Sequence, residues 1–159
     1  MKNLEIKEIR LDDVKWIDGL TTPPSTYKCA HHLLDSEKLS PLVDPGSAYS
    51  LFSLINDGKW LGWIGLYPVL DPFGRLGISE IQFGFDPIKA DCECILIAIN
   101  FLLIKARSLG FWSCLIHLKE NSELIPFLFN SGFKILGQKS TDTSTYTENG
   151  LLILEKRLN

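Results

Sequence analysis

The sequence lacks a basic cluster, a long apolar run and a low-complexity tract. The densest basic pair is Lys156–Arg157 and the formal net charge is −3, which disfavours a general nucleic-acid binder. The longest apolar stretch, residues 95–104, is interrupted by Asn100 and is too short to cross a bilayer, which needs about 20 residues. Charged residues interrupt positions 1–10, so no signal-peptide core is present. These absences predict a cytoplasmic protein that binds neither nucleic acid nor membrane.

Cysteine is scarce as well, with four residues in the chain. An even number permits disulfides, but no other feature indicates export. Cys92 and Cys94 form a Cys-x-Cys pair, and His31–His32 offers a second pair of metal ligands. Zinc sites more usually show Cys-x2-Cys spacing with a second matching pair. We therefore favour reduced, partly buried thiols and assign no metal ligand.

The composition is that of an ordinary globular protein. Apolar residues make up 45% of the 159 positions and charged residues 22%. No internal repeat or linker divides the chain. We therefore expect residues 1–159 to form a single domain.

Hydrophobic periodicity divides the chain into strands and helices. The segment 56–59 contains Asp-Gly between two apolar runs and predicts a hairpin turn, because this pair tolerates positive φ. The predicted strands are 4–10, 48–55, 60–70, 78–85, 111–118, 133–136 and 150–158. The predicted helices are 12–20, 27–39, 91–109 and a short helix from 121 or 122 to about 130.

The helix at 91–109 carries the clearest boundary signals. Asp91 is a predicted N-cap, and Glu93 lies in the first turn, where the helix dipole favours negative charge. Lys105 and Arg107 lie in the last turn, and Gly110 is a predicted stop. The middle of the segment is apolar nearly all round, so we expect it to be largely buried.

The order of elements predicts the fold class. A long helix between two strands indicates a right-handed crossover that joins parallel strands, and the hairpins indicate antiparallel pairing elsewhere. We therefore predict an α/β (α+β) fold with a mixed, mostly antiparallel sheet of six to seven strands and helices on both faces.

Two segments resemble the GCN5-related N-acetyltransferase (GNAT) superfamily. Segment 121–133 has Asn121, then a short helix, then Gly132–Phe133, with the Asn-to-Gly spacing of eleven that is usual in the family. Segment 79–87 contains Glu80 and ends in Asp86–Pro87. It is similar to strand four of the branch that acetylates ribosomal-protein N-termini and small amines. The resemblance covers about residues 48–158.

The resemblance implies direct acetyl transfer from acetyl-coenzyme A to a primary amine of a small molecule or a protein N-terminus. Glu80 matches the general base, and backbone N–H groups around Phe83 and Phe85 would polarise the thioester carbonyl and bind the pantetheine arm. Asn121 is the matching cofactor contact. Lys89 and Phe127 complete the expected cofactor contacts.

Each role also has a plainer alternative. The alternative for Glu80 is an exposed strand residue, and the alternative for Asn121 is a helix cap. Three histidines, at positions 31, 32 and 117, have no visible partner. Cys114 is expected to pack in the core, and residues 12–39 and 138–149 are expected to select the substrate. A homodimer is compatible with the resemblance, because family members often pair through sheet edges.

The family pattern fails at the loop that binds the cofactor diphosphate. Its two glycine positions fall on Asp91 and Glu93. A carboxylate about 4 Å from an anion repels it by about 1 kcal/mol in water and about 4 kcal/mol at an effective dielectric constant near 20. Lys89 offsets only part of this repulsion. Leu128 also stands where many members have a tyrosine.

Two alternatives to a coenzyme A-dependent enzyme therefore stay open. One is a different acyl donor or ligand. The other is a catalytically inactive GNAT-fold binding module that has lost acetyl-coenzyme A binding. It predicts a cleft between strands four and five that is filled by side chains such as Phe83, Phe85 or Phe127.

Overall fold

The computed structural model describes residues 3–9, 50–70, 76–86, 88–139 and 150–159. Seven strands and two helices lie within these ranges. The strands are β1 (Leu4–Glu8), β2 (Ser50–Asn56), β3 (Lys59–Leu70), β4 (Leu76–Phe85), β5 (Ser113–Lys119), β6 (Lys134–Lys139) and β7 (Leu151–Arg157). The helices are α1 (Cys92–Ser108) and α2 (Ile125–Asn130). The helices predicted at 12–20 and 27–39 lie outside the described residues, as do positions 140–149.

All seven strands form one sheet in the order β1-β2-β3-β4-β5-β7-β6. Every neighbouring pair is antiparallel except β4 and β5, which are parallel and are connected through α1. The predicted mixed, mostly antiparallel α/β sheet is therefore confirmed. In the described ranges, neither helix has the length and apolar character needed to cross a bilayer.

The hairpin between β2 and β3 has the predicted turn. Asp57 and Gly58 both adopt positive φ, 49° and 74°. Positive φ at both central residues is typical of the tight turn that matches the twist of the flanking strands. The turn thereby sets the register in which Asn56 pairs with Lys59.

The boundaries of α1 agree with the predicted signals. The Asp91 side chain accepts a hydrogen bond of 2.9 Å from the backbone N–H of Cys94, which satisfies one of the free donors at the helix start. Glu93 lies in the first turn, and the basic residues lie in the last. Gly110 has φ +88° and ends the helix, as expected for a glycine in this position.

The expectation that α1 is largely buried holds for one stripe of the helix and not for its outer side. Ile95 and Ile99 are fully buried against the sheet, whereas Ile104 is 73% exposed and Ile97 is also exposed. A helix that lies on a sheet buries only one stripe of its surface, whatever the residues on its outer side.

The main core lies between α1 and one face of the sheet. On β4 this face carries Ile81, Phe83 and Phe85, and on β3 it carries Ile64 and Leu66, all of them buried. Each large apolar side chain that is fully buried contributes about 1.5–3 kcal/mol. Because strand residues alternate between faces, the same packing directs residues 80, 82 and 84 of β4 to the opposite face.

Helix α2 begins later than the sequence indicates. The predicted start at 121 or 122 is wrong, because residues 121–124 form turns and the helix starts at Ile125, with Pro126 in its first turn. Pro is tolerated there because the N–H it lacks has no partner inside the helix. Leu128 is buried in the same core as α1. Gly132 has φ +90° and turns the chain into β6, which confirms the predicted tight turn.

Candidate active site

The parallel pair at the centre of the sheet separates partway along its length. β4 and β5 pair only through Ile78–Glu80 and Ser113–Leu115. Beyond that point β4 continues to Phe85 beside β3, and β5 continues to Lys119 beside β7. Within the described ranges no further register joins β4 to β5. We call this divergence the fork; it opens toward the carboxyl ends of both strands.

Two buried polar side chains meet at the base of the fork. Glu80 is the last residue of β4 that pairs with β5, and it lies opposite Leu115. On β5, His117 follows Leu115 by two positions, so its side chain points to the same face of the sheet as the side chain of Glu80. Oε1 of Glu80 lies 3.0 Å from Nδ1 of His117. The residues are only 7% and 8% exposed.

This pair changes the interpretation of both residues. The plain alternative for Glu80, an exposed strand residue, is wrong because the residue is buried. His117, which has no visible partner in the sequence, has a carboxylate within hydrogen-bond distance. A buried carboxylate is stable only when such partners offset its loss of hydration. The arrangement therefore places a proton-accepting group and an imidazole together at the strand divergence.

The backbone of β4 turns alternate amide groups toward the fork. The N–H of Asp86 donates to the carbonyl of Leu61 on β3 at 2.8 Å. Successive strand residues direct their amides to opposite sides, so those of Phe85 and Phe83, one and three positions earlier, are directed toward β5. The N–H groups of Phe83 and Phe85, which we predict to contact the cofactor, therefore lie on the side of β4 that faces the fork.

The side chains of Phe83 and Phe85 do not share this orientation. Both rings are buried, with centroids 5.5 Å apart, and both belong to the core that includes α1. They form the apolar layer beneath one side of the sheet. A contact between a fork ligand and these residues would therefore run through their backbone.

At the start of α1, oxygen atoms of Asp86 and Asp91 accept hydrogen bonds from nearby backbone N–H groups. The Asp86 side chain accepts from the N–H of Ile88 at 3.0 Å, and the Asp86 carbonyl accepts from the N–H groups of Lys89 and Ala90 at 3.2 and 2.9 Å. The Asp91 side chain accepts a hydrogen bond from the N–H of Cys94. The backbone N–H groups of residues 88–90 and 94 are therefore bonded to these two aspartates.

Lys89 does not act as a separate cation at this entrance. Its Nζ lies 2.9 Å from Oδ2 of Asp86. The hydrogen bonds from Lys89 and from the N–H of Ile88 hold the pKa of the Asp86 carboxyl below its usual value. The positive charge of Lys89, which was predicted to offset the negative charge of the loop, is therefore paired with Asp86.

These observations give opposite results for two parts of the cofactor that the resemblance implies, its amide-containing arm and its diphosphate. The fork, with amides of β4 directed into it, fits the extended amide-containing arm of a coenzyme A thioester. The entrance of α1 does not fit a diphosphate, because Asp91 and Glu93 bring negative charge and Asp86 and Asp91 occupy N–H groups.

The other predicted contacts lie at the margin of the fork. Asn121 is exposed just beyond the carboxyl end of β5, on the side toward which the fork opens. The cap assigned to it in the alternative interpretation is not formed, since α2 begins at Ile125 and its N-cap residue is Leu124, with no side-chain hydrogen bond to the helix start. Phe127 is 41% exposed on α2, and Leu128 beside it is buried.

The thiols agree with a packing role. Cys114 is fully buried, with Sγ 3.1 Å from Oγ of Ser79, and burial raises its pKa to about 11. Cys92 and Cys94 are free thiols. Among the residues that the structure describes, no cluster of three or more His, Cys, Asp or Glu could hold a metal ion. His31–His32 and Cys29 lie outside them.

Comparison with known proteins supports the fold rather than a specific identity. No protein-family model matches the sequence, and no curated protein matches it significantly. Solved structures do match over nearly the whole chain. One, provisionally assigned as a phosphinothricin N-acetyltransferase, has a TM-score of 0.80 at 13% identity, covering 99% of each chain.

Two further structures extend the pattern. Spermidine/spermine N-acetyltransferase SpeG from Vibrio cholerae has a TM-score of 0.73 at 14% identity and covers 98% of this chain and 92% of its own. A GCN5-related N-acetyltransferase from Kribbella flavida has a TM-score of 0.74 at 16% identity and covers 98% of each chain. At this level of identity the comparison shows the GCN5-related N-acetyltransferase fold.

Proposed function

We propose that this chain is an N-acetyltransferase that moves an acetyl group from a coenzyme A-type thioester to a primary amine, of a small molecule or a protein N-terminus, with Glu80 as general base. The observation that carries the proposal is the buried Glu80–His117 pair at the base of the fork. The fold of solved amine acetyltransferases such as SpeG supports the same class of reaction.

The contact between Glu80 and His117 supports proton abstraction by Glu80. With its Nδ1 protonated, His117 donates to Oε1 and fixes the carboxylate, which leaves Oε2 to take a proton from the amine. A bound acetyl thioester would supply the carbonyl carbon that the nitrogen joins and the sulfur that leaves with the bonding electrons. The proton held by Glu80 is then the one available to the departing thiolate, because Leu128 has none to give.

The backbone of β4 provides the second catalytic contribution. The N–H groups directed into the fork around Phe83 and Phe85 are fixed by the sheet before any ligand binds. Fixed donors stabilise negative charge that develops on a carbonyl oxygen without reorganisation. This contribution depends on the divergence of β4 from β5 and on no particular side chain.

The proposal assigns donor recognition mainly to the fork. Asn121, at its open end, would contact the amide-containing arm, whereas the α1 entrance repels the diphosphate through Asp91 and Glu93. The diphosphate and nucleotide should therefore add little to binding. This distinguishes the protein from an acetyltransferase that grips its cofactor through a glycine-rich loop.

The decisive experiment compares two donors, acetyl-coenzyme A and S-acetylpantetheine, which lacks the diphosphate and nucleotide. Acetylation of a panel of primary amines is followed by mass spectrometry. We expect turnover with both donors and kcat/KM values within about tenfold of each other, since the diphosphate contributes less than about 1.4 kcal/mol. Glu80→Gln should lower kcat by at least about a hundredfold and leave the donor Kd unchanged. Equal kcat in the variant removes Glu80 from the mechanism.

The second candidate function is a binding module without catalysis. The observation that favours it is the pair of aspartates at the α1 entrance. It predicts that neither donor raises the melting temperature at millimolar concentration, whereas a ligand that binds the folded state must raise it by mass action. A donor-dependent rise therefore decides against this candidate.

A further inference from the structure

A small cavity lies over Gly65, on the face of the sheet opposite α1. Gly65 of β3 pairs with Leu51 on β2 and with Gln82 on β4. All three residues line the cavity. Because paired residues direct their side chains to the same face, the row across these three strands has a side chain at each end and none in the middle. The cavity is the space that this glycine leaves between Leu51 and Gln82.

The walls of this space are close to Gly65. A Cβ on Gly65 would lie 3.0 Å from Cδ1 of Leu51, 3.5 Å from the carbonyl oxygen of Ser50 and 3.7 Å from Cζ3 of Trp63. The indole nitrogen of Trp63 lies on the other side of its ring, 2.7 Å from the Cβ position of Gly84, and takes no part in this space. The cavity therefore has apolar walls and one backbone acceptor, the carbonyl of Ser50.

Gln82 brings a second acceptor to the same space. The residue is 4% exposed, and its Oε1 is buried without a hydrogen bond from any residue that the structure describes. Buried polar atoms are nearly always bonded, and an unbonded one destabilises the folded state. The side chain of Gln82 lies beside the position that Gly65 leaves open. The cavity is therefore the space from which a donor reaches Oε1.

Size and chemistry together define what fits there. The cavity offers about 10 Å³ to the centre of a water-sized group, which is the space of one such group. The occupant has to donate to Oε1 of Gln82, and the carbonyl of Ser50 beside it is an acceptor as well. A water molecule donates two hydrogen bonds and has no further atoms to place. An amine or an alcohol brings a carbon chain that this volume does not hold.

We infer that one structural water occupies the cavity over Gly65 and donates hydrogen bonds to Oε1 of Gln82 and to the carbonyl of Ser50. The water connects β4 to β2 across the only position of the row that has no side chain. In the described ranges, β4 beyond Glu80 is in register with β3 alone. The water thus adds a second connection to the part of β4 that borders the fork. This inference does not depend on acetyl transfer, and neither test below measures it.

The first test is a crystal structure of the wild-type protein at a resolution that shows ordered waters. We expect one spherical peak over Gly65, about 2.5–3.0 Å from Oε1 of Gln82 and from the carbonyl oxygen of Ser50. A side chain that donates to Oε1 in place of the water overturns the inference. Density for a larger molecule, or no peak with Gln82 in the same position, overturns it too.

The second test fills the space with one methyl group. Gly65 is not among the described glycines with positive φ, so Gly65→Ala brings no backbone strain. Its Cβ would displace the water and leave Oε1 of Gln82 without a donor. We expect Gly65→Ala to lower the ratio of folded to unfolded protein at least about fivefold, measured by urea denaturation.

The control for this variant is the same substitution in a background without the amide. Gln82→Met keeps the length of the side chain and removes the acceptor that the water bonds. In the Gln82→Met background, Gly65→Ala should change the folding ratio by less than about twofold, because no buried acceptor loses its partner. An equal loss in both backgrounds would mean that the cost of Gly65→Ala comes from its contact with Leu51, and it would overturn the inference.

Discussion

Oε1 of Glu80 lies 3.0 Å from Nδ1 of His117, and this contact joins β4 to β5 at the last point where their backbones pair. Below it, the two strands are held by a regular parallel ladder. Above it, each strand follows a different neighbour. The side-chain pair thus lies at the position where the sheet changes from a continuous ladder to a cleft. A substitution in the pair should therefore affect both the free energy of unfolding and the proposed catalysis.

Removal of either partner should destabilise the protein, because the other becomes a buried polar group without compensation. We expect His117→Phe and Glu80→Leu each to cost about 1–3 kcal/mol, measured by urea denaturation. The double variant His117→Phe/Glu80→Leu should cost clearly less than the sum, with a coupling of about 0.5–3 kcal/mol. Glu120→Gln, at an exposed position, is the control. Strict additivity would show that the two side chains do not interact in solution.

Restoration of the glycines at the α1 entrance should strengthen binding of acetyl-coenzyme A. The variant Asp91→Gly/Glu93→Gly removes two carboxylates and frees the N–H of Cys94. Relief of repulsion worth about 1–4 kcal/mol predicts a Kd at least about fivefold lower by calorimetry. Replacement of an N-cap Asp by Gly costs stability of only a few tenths of a kcal/mol.

The control for this variant is S-acetylpantetheine, which lacks the diphosphate and should bind both proteins equally. An equal gain for both donors would mean that the substitutions reshape the fork. No gain for acetyl-coenzyme A would mean that its diphosphate lies elsewhere on the protein.

The features that the sequence predicts well are the ones with local causes. Helix α1 begins after Asp91 and ends before Gly110 because capping and positive φ are decided within a few residues. The turn at Asp57–Gly58 has the same origin. The crossover through α1 follows from element order, and it places Glu80 on a strand beside β5.

The features that the sequence does not predict depend on long-range packing. Glu80 meets His117 only because Glu80 pairs with Leu115, and no local pattern sets the register between strands separated by a whole helix. The late start of α2 has a local cause instead, since Ser122 forms a turn with Leu124 and the helix begins only at Ile125, with Pro126 in its first turn. The one signal in the sequence is that His117 stands between Ile116 and Leu118 inside an apolar strand, which would have selected it as a candidate.

The carboxylate of Asp86 should make stability at the α1 entrance depend on pH. Its folded pKa is lowered below 3.8 by Lys89 and the N–H of Ile88, so its contribution is complete above the unfolded pKa and is lost as pH falls through the folded value. Asp86→Ala should therefore cost about 1 kcal/mol at pH 6 and progressively less below pH about 4. Thermal denaturation across this range measures the difference.

Lys89→Met separates the two causes of this effect, because it removes the ion pair and keeps the bond from Ile88 to Asp86. Its cost at pH 6 should be smaller than that of Asp86→Ala, within the 0.2–1 kcal/mol range expected for a partly exposed ion pair. A cost for Asp86→Ala that stays constant down to pH about 2 would contradict the assignment.

Cys114 offers a chemical measure of how firmly the base of the fork is closed. The residue pairs with Ser79 directly below Glu80, and burial raises its pKa to about 11. At pH 8 only about one molecule in a thousand carries the reactive thiolate, and reagent has no access to it. We expect iodoacetamide to label Cys92, which is partly exposed, and to leave Cys114 unlabelled until the protein unfolds. Mass spectrometry of digested samples distinguishes the sites. Labelling of Cys114 well before global unfolding would mean that β4 and β5 separate below Glu80, and the fork would then be a mobile opening instead of a fixed cleft.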